Sequence, residues 1–365
     1  MKKFIFILLI SVLCIGSFFI FKQKNPPLIS VVMSTYNRAP LLSRAIDSIL
    51  NQTFTDFEFI IIDDGSSDKT PEILAEYAKK DKRIRVITNN PNKGLIYSLN
   101  KGLQEAKGKY IARMDDDDIS LPNRFMKQYD FMEKNPDIAV AGSWIGNPDN
   151  NQKWGFHDQT DPEKIKMFLY LNSVPISHPA AFIRRSFLTQ HNITYSNEYK
   201  AAEDRKFWLD IMDADGKITN IPEVLLLFRL HGTNPYEYYV NQISNAHKFF
   251  HNEILPRFAS KEEFENLDNC SIMRKMVEKN ENLNLVSQSV LKPHVMKICP
   301  PENAEKAKHI QWEGHFVFEN DRVCRHNPRD CATIIEKTSD KMTIKWDNWG
   351  TETFEKKDNI WIIKK

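Results

Sequence analysis

Hydrophobic and polar positions change their spacing several times along the chain, and each change marks a unit. Residues 4–21 are almost continuously apolar. At helical rise about 18 residues cover roughly 27 Å, close to the apolar thickness of a bilayer. A single membrane-spanning helix is expected there, with residues 1–24 as an N-terminal anchor. A cleaved secretory leader is the competing reading, but no small-x-small site follows the run, and Leu13 ahead of Cys14 spoils a lipoprotein-type site. Lys2 and Lys3 face Lys22 and Lys24 across the run, so flanking charge does not choose an orientation.

After Asn25, Pro26 and Pro27, short apolar runs alternate with amphipathic stretches, the rhythm of βα units around a mostly parallel sheet. Strands are expected at 28–34, 57–63, 83–88, 110–114 and 138–142. Between them Leu41, Leu42, Ala45, Ile46 and Ile49 recur at helical spacing, a helix starts near Thr70 and Pro71, and 95–106 and 125–134 follow the same period. The predicted class is α/β: a Rossmann-like, mostly parallel sheet flanked by helices over residues 25–255. A helical linker, 256–309, is expected next. In 310–365 short alternating runs containing Val317, Ile334, Ile335, Ile344, Trp346 and Phe354 are broken by Asn, Asp and Gly, which predicts a small antiparallel β module.

Composition narrows the functional classes. A chain of 365 residues, 41% hydrophobic, can bury a substantial core, and a net charge of +2 gives no electrostatic reason to expect nucleic acid. Cys270, Cys299, Cys324 and Cys331 fall in the last third, and 25–255 has no cysteine. Cys324 and Cys331 are close enough in sequence to pair in an oxidising compartment and are free thiols otherwise.

Candidate chemistry sits on acidic residues. Asp115, Asp116, Asp117 and Asp118 directly follow the expected strand 110–114, and ligands bind at the carboxyl ends of strands in such sheets. Acidic runs are ordinarily solvated loops. Four like charges at the tip of a buried strand are costly unless a cation shares the site, and Asp115 and Asp117 can point the same way toward a hard divalent ion and its diphosphate. Asp63 and Asp64 end another expected strand; they either accept from a base or ribose or form a turn, with Asp68 capping the next helix. Glu203 and Asp204 precede Phe207, Trp208, Ile211 and Met212 at helical spacing, which suits a helix N-terminus as well as a general base.

Several stretches, in order, resemble the family 2 glycosyltransferases of the GT-A fold over roughly residues 28–235. They are ISVVMSTYNR at 29–38, IIDDGSSD at 61–68, Asn92-Lys93-Gly94, and ARMDDDDIS at 112–120 in the family's D-x-D position. Ser177-His178-Pro179 with Phe182, Glu203-Asp204 ahead of Trp208, and Arg229 to Gly232 around His231 complete the set. The resemblance implies a GT-A fold and a metal-dependent, inverting transfer from a nucleotide-sugar, UDP-linked by expectation, to a hydroxyl of a glycan or glycoconjugate. By the same resemblance Thr35 and Tyr36 line the base pocket, Asp63 or Asp64 accepts from the uracil, and Arg113 and Asp115 contact the donor. Asp115, Asp117 and His231 bind Mn2+ or Mg2+, and Asp204 is the general base. His178, Glu203 and Trp208 border the acceptor or the donor sugar.

Two departures qualify the match. Four consecutive aspartates occupy the D-x-D position, so Asp118 could substitute as a ligand, and Thr233-Asn234-Pro235 stands where the family more often has a serine-bearing loop, with proline restricting its movement. Two rivals share many of these residues: a polyprenyl-phosphate sugar synthase, and a sugar-binding surface protein without turnover. A processive synthase is disfavoured by the single apolar run and the lack of a Q-x-x-R-W sequence. Trp312, Trp346, Trp349 and Trp361 either form the core of the terminal module or a carbohydrate platform. Asn192-Ile193-Thr194 and Asn269-Cys270-Ser271 are sequon-like triplets of a kind that arises often by chance.

Overall fold

The computed structural model describes residues 26–148, 153, 159–171, 173–229, 248–258, 260, 263 and 269–283, and six strands between 317 and 363. The expected membrane run, His231, the 233–235 loop, Cys299, Trp312 and Trp349 lie outside the described residues. Among the described residues no helix is long and apolar enough to cross a membrane.

The chain begins with βα units: β1 (Ile29–Thr35), α1 (Ala39–Leu50), β2 (Phe57–Asp63), α2 (Thr70–Lys80), β3 (Ile84–Thr88), α3 (Leu95–Glu105) and β4 (Tyr110–Met114). Next come β5 (Ile119–Ser120), α4 (Arg124–Lys134), β6 (Ile138–Gly146), α5 (Pro162–Tyr170), a 3-10 turn at His178–Ala180, β7 (Phe182–Arg184), α6 (Arg185–His191), α7 (Glu203–Asp213) and β8 (Lys217–Leu227). The eight strands form one sheet in the order β3-β2-β1-β4-β7-β6-β8-β5.

The sheet is mixed. β1, β2, β3 and β4 pair in parallel, as the βα rhythm requires, and β6 pairs in parallel with β8. β7 is antiparallel to both β4 and β6, and β5 is antiparallel to β8. The short strands carry too few residues to show a period. β8 hides its period differently: pairing jumps from Ser143↔Ile221 to Trp144↔Val224, so exposed Pro222 and Glu223 bulge from the ladder. A proline has no N–H to donate there.

Alternation along the strands sorts the core into two layers. Ile29, Val31 and Met33 of β1 join Leu42, Ala45, Ile46 and Ile49 of α1, Leu74 of α2, and Phe125 and Met132 of α4. Val32, with Ile60 and Ile62 of β2, turns to the other face and packs with Ile96 and Leu99 of α3 and with Phe207, Trp208 and Ile211 of α7. Period-2 strands therefore serve two helical layers at once. Phe249, Phe250, Ile254 and Leu255 join the second layer, as do Ile272, Met276 and Val277 of α8 (Asn269–Leu283). Part of the stretch expected as a linker thus packs on this domain.

The last strands are β9 (Val317–Glu319), β10 (Arg322–Cys324), β11 (Cys331–Lys337), β12 (Lys341–Trp346), β13 (Gly350–Lys357) and β14 (Ile360–Ile363). They pair antiparallel in sequence order, with Cys324 opposite Cys331.

Register positions the site. Thr35 stands opposite Asp63 and Asp63 opposite Thr88, while Met33 stands opposite Met114. The three segments that leave β1, β2 and β4 therefore emerge along one edge of the sheet.

Candidate active site

Polar side chains lace the first two loops together. Asn37 adopts left-handed backbone (φ 53°), a conformation Asn tolerates, and its Oδ1 accepts from the amide of Ser67 at 2.8 Å. Its own N–H donates to Ser66 Oγ at 2.9 Å. Asp68 stands one position ahead of the N-cap residue Lys69, where it accepts from Thr70 N–H, the first of α2, at 2.9 Å, and it also accepts from Ala39 N–H at the start of α1. Tyr36, between the strand and this lacing, is 48% exposed, so its ring is not part of the core.

Asp63 and Asp64 have separate tasks. Asp64 is buried, with Oδ1 accepting from Asn89 Nδ2 (2.8 Å) and Lys93 N–H (3.0 Å) and Oδ2 from Gly94 N–H (2.8 Å). This carboxylate is engaged by the loop that opens α3. Asp63 uses Oδ1 for the amide of Ser66 at 3.0 Å. Gly65 follows with φ +77°, and a Cβ there would stand 3.0 Å from both Asn89 O and Asn92 N, so only glycine suits this crossing.

The acidic turn is short of positive charge. Asp115 is ion-paired with the buried guanidinium of Arg113. Burial works against the Arg113 charge, and Asp115 more than offsets it, so its pKa is raised. Arg38, from the first loop, reaches Asp116 at 3.6 Å and Asp117 at 4.0 Å. Burial, then the neighbouring Asp115 and Asp117, push Asp116 up to about 7. Asp118 is raised as well, by burial and by Asp115; Oδ1 accepts from Arg229 N–H at 2.8 Å, and buried Oδ2 has no hydrogen-bond partner among the described residues. Among the described residues no three His, Cys, Asp or Glu side chains make a complete metal cage. The turn nonetheless fits a hard cation: its ligand atoms are carboxylate oxygens, and among the described residues no proton donor meets buried Asp118 Oδ2.

A second group of side chains lies in the field of the same Arg113 guanidinium. His178, in the 3-10 turn, is buried; its Nε2 and Tyr195 Oη are hydrogen-bonded at 2.7 Å, and Trp208 lies edge-on at 5.8 Å. Burial, followed by the positive charge of Arg113, holds His178 well below its ordinary pKa, so the ring is neutral. Trp208 is fully buried and supports His178 from behind, without a surface of its own for an acceptor. Glu203 and Asp204 open α7. Asp204 Oδ1 accepts from Arg205 N–H at 2.8 Å, so it holds the helix start. Burial raises its pKa, with Arg205 and Arg113 opposing; burial and then Asp204 push Glu203 up to about 7. Arg113 acts electrostatically on Asp115, Asp118, His178, Glu203 and Asp204, and so places the start of α7 and the acidic turn around one cation.

The structure thus gathers Thr35, Tyr36, Asp63, Asp64, Arg113, Asp115 and Asp117 at one edge of the sheet, and Arg113 acts electrostatically on His178, Glu203 and Asp204. His231 lies outside the described residues; Arg229, two positions before it, is tied to Asp118. Sequence reading missed Tyr195, Asn89, Arg124 and Gln128. Arg124 and Gln128 had a signal: polar residues one turn apart, beside Phe125 and ahead of Met132 on the apolar face of a helix.

Residues 30–191 match the model of the family described as Glycosyl transferase family 2. An uncharacterized glycosyltransferase of Haemophilus influenzae is 34% identical over 250 residues, 66% of this chain and 76% of that protein. The O-antigen biosynthesis glycosyltransferase WbnJ of Escherichia coli is 32% identical over 209 residues, 56% of this chain and 80% of its own length. Among solved structures, the mannosyltransferase PcManGT from Pyrobaculum calidifontis, in complex with GDP-Man and Mn2+, has a TM-score of 0.53 at 14% identity, covering 80% of this chain and 85% of that one. S. aureus TarS 1-349 in complex with UDP-GlcNAc has a TM-score of 0.50 at 17% identity, covering 82% and 97%. Both structural likenesses concern the fold.

Proposed function

The chain belongs to glycosyl transferase family 2 and is a glycosyltransferase, and from that premise we propose that it carries a sugar from a UDP-linked donor to a hydroxyl of a glycan or glycoconjugate, with inversion and with a divalent metal. The observation that carries this reading is the convergence of three loops on one sheet edge, where an acidic turn and the carboxylates of Glu203 and Asp204 all lie in the field of Arg113. Neighbours of the same fold hold GDP-Man with Mn2+ and UDP-GlcNAc, which supports a nucleotide-sugar donor, and the relative named for O-antigen biosynthesis supports a glycan acceptor.

In this reading the exposed Tyr36 ring stacks on the base and Asp63, whose Oδ1 alone is used within its turn, accepts from it, while Asp64 fixes the loop around them. Asp115 and Asp117, with His231 as a further ligand, would hold Mn2+ or Mg2+, and Asp118 Oδ2 is the alternative carboxylate oxygen. The ion supplies positive charge to the diphosphate as it departs. Arg113 shares Asp115, so its guanidinium also stands where donor charge collects. Asp204 takes the proton of the attacking hydroxyl as the oxygen bonds to the anomeric carbon and the bond to the diphosphate breaks. Burial raises its pKa above the ordinary aspartate value, which makes it a stronger proton acceptor than a solvated aspartate. Attack opposite the leaving group inverts the anomeric centre. Neutral His178 borders the sugar, and residues 1–24 tether the enzyme to a membrane.

A panel of radiolabelled nucleotide-sugars tests this, with products partitioned between lipid extract and water-soluble oligosaccharide. Metal-dependent transfer of one sugar to oligosaccharide is expected. Label in the lipid phase alone moves the acceptor to a lipid phosphate, and the absence of both transfer and donor hydrolysis defeats the reading.

A further inference from the structure

Below the acidic turn the chain returns two polar side chains to the interior. Arg124 and Gln128, one turn apart on α4, are both 0% exposed. Arg124 Nη2 donates to the carbonyl of Arg113 at 2.8 Å and to that of Ala181 at 3.4 Å, and Nε donates to Gln128 Oε1 at 2.9 Å. Gln128 Nε2 donates to the carbonyls of Ala180 at 2.8 Å and Ala141 at 3.0 Å. The entry of α4 is fixed separately: Phe125 N–H donates to Gln52 Oε1 at 3.1 Å, and Gln52 Nε2 donates to the carbonyl of Leu121 at 2.8 Å.

A buried guanidinium is costly, and a well-packed apolar side chain commonly stabilises a core more. Arg124 sends Nη2 to backbone carbonyls, Nε to Gln128 and Nη1 to Met114 Sδ at 3.6 Å, so stability alone does not account for it. Three of the four carbonyls belong to two places that matter, and the fourth, of Ala141, lies on β6. Arg113 bears the side chain paired with Asp115, and Ala180 and Ala181 end the turn that carries His178. Main-chain pairing already ties the two places at one point, since Arg113 N–H donates to the carbonyl of Ala181 at 3.0 Å; an apolar filler would occupy the same volume without the added donors to the carbonyls of Arg113 and Ala180.

We propose that Arg124 and Gln128 are a positioning pair for the donor site: through the carbonyls of Arg113, Ala180 and Ala181 they brace the strand end bearing the acidic turn against the turn bearing His178, and so set the spacing of the metal-binding carboxylates. The inference rests on the reading that the acidic turn holds metal and diphosphate. Groups that orient ligating carboxylates typically change metal affinity 10–100-fold when altered. Replacing the fork of Arg124 therefore shifts Mn2+ binding even where charge is kept.

The test uses the full chain with UDP, following the loss of the free Mn2+ paramagnetic resonance signal, alongside urea unfolding. Arg124→Lys, which retains charge, and Arg124→Met are expected to raise half-saturating Mn2+ by about tenfold or more, and Gln128→Leu by a smaller factor. A folded variant, any of the three, that is merely less stable and binds Mn2+ as the wild type does overturns the inference. Arg124→Lys and Gln128→Leu decide the matter where Arg124→Met does not fold. A wild type that takes up no Mn2+ with UDP defeats the functional reading and this inference together, which distinguishes that failure from a failure of the pair alone.

Discussion

Glu203 is held against its preference, and replacing it by glutamine should stabilise the protein in a pH-dependent way. Buried at the start of α7 beside Asp204, its carboxyl is raised from 4.5 to about 7, by burial first and the neighbouring charge second. A carboxyl with a raised folded pKa favours folding while protonated; that contribution is present below pH 4.5 and is lost as pH rises through 7. The gap between about 7 and 4.5, at about 1.4 kcal/mol per pH unit, gives a loss of roughly 3 kcal/mol by pH 8. Glu203→Gln keeps the shape and removes the charge. Urea unfolding at 25 °C should find the variant more stable than wild type by about 2–3 kcal/mol at pH 8, with the gap shrinking to below about 1 kcal/mol by pH 5. A gap that stays constant from pH 5 to pH 8, or a variant less stable at pH 8, refutes the reasoning. A stabilised variant with impaired transfer would show that the charge is kept for function.

Two other substitutions separate roles. Asp204→Asn retains an oxygen for the Arg205 N–H and so preserves the start of α7; transfer should fall by about 10²–10⁴-fold with donor affinity nearly unchanged, measured by steady-state kinetics and calorimetry, and wild-type turnover would remove Asp204 from the mechanism. Asp64→Ala strips a buried charged acceptor from three donors and should cost roughly 3–5 kcal/mol in urea unfolding; a loss below about 1 kcal/mol would mean that the α3 loop holds itself.

Much of the first half was legible because each element has one period and one job. β2 and β4 were expected at 57–63 and 110–114, where they lie, and α3 and α4 were displaced by one residue at one end. The mixed half was hidden by brevity in β5 and β7, and in β8 by the Pro222–Glu223 bulge, which interrupts the alternation. At the site, charge type was readable and partnership was not. Asp63 and Asp64 are adjacent in sequence, yet one engages its own turn and the other the loop of α3, a division set by contacts 25 and more residues away. Trp208 follows the acidic pair as closely as an acceptor contact would, but helical phase turns it inward beneath His178. Tyr195 was invisible for a similar reason: its partner His178 is 17 positions away.

The most direct test is calorimetric titration of UDP into the full chain with Mn2+, with chelator in its place, and with Asp115→Ala and Asp117→Ala. If carboxylates at the sheet edge hold the ion that grips a diphosphate, wild type with Mn2+ binds UDP, and chelation or either substitution weakens binding by about tenfold or more. UDP binding of equal strength in all four titrations, or none in wild type with Mn2+, contradicts the account.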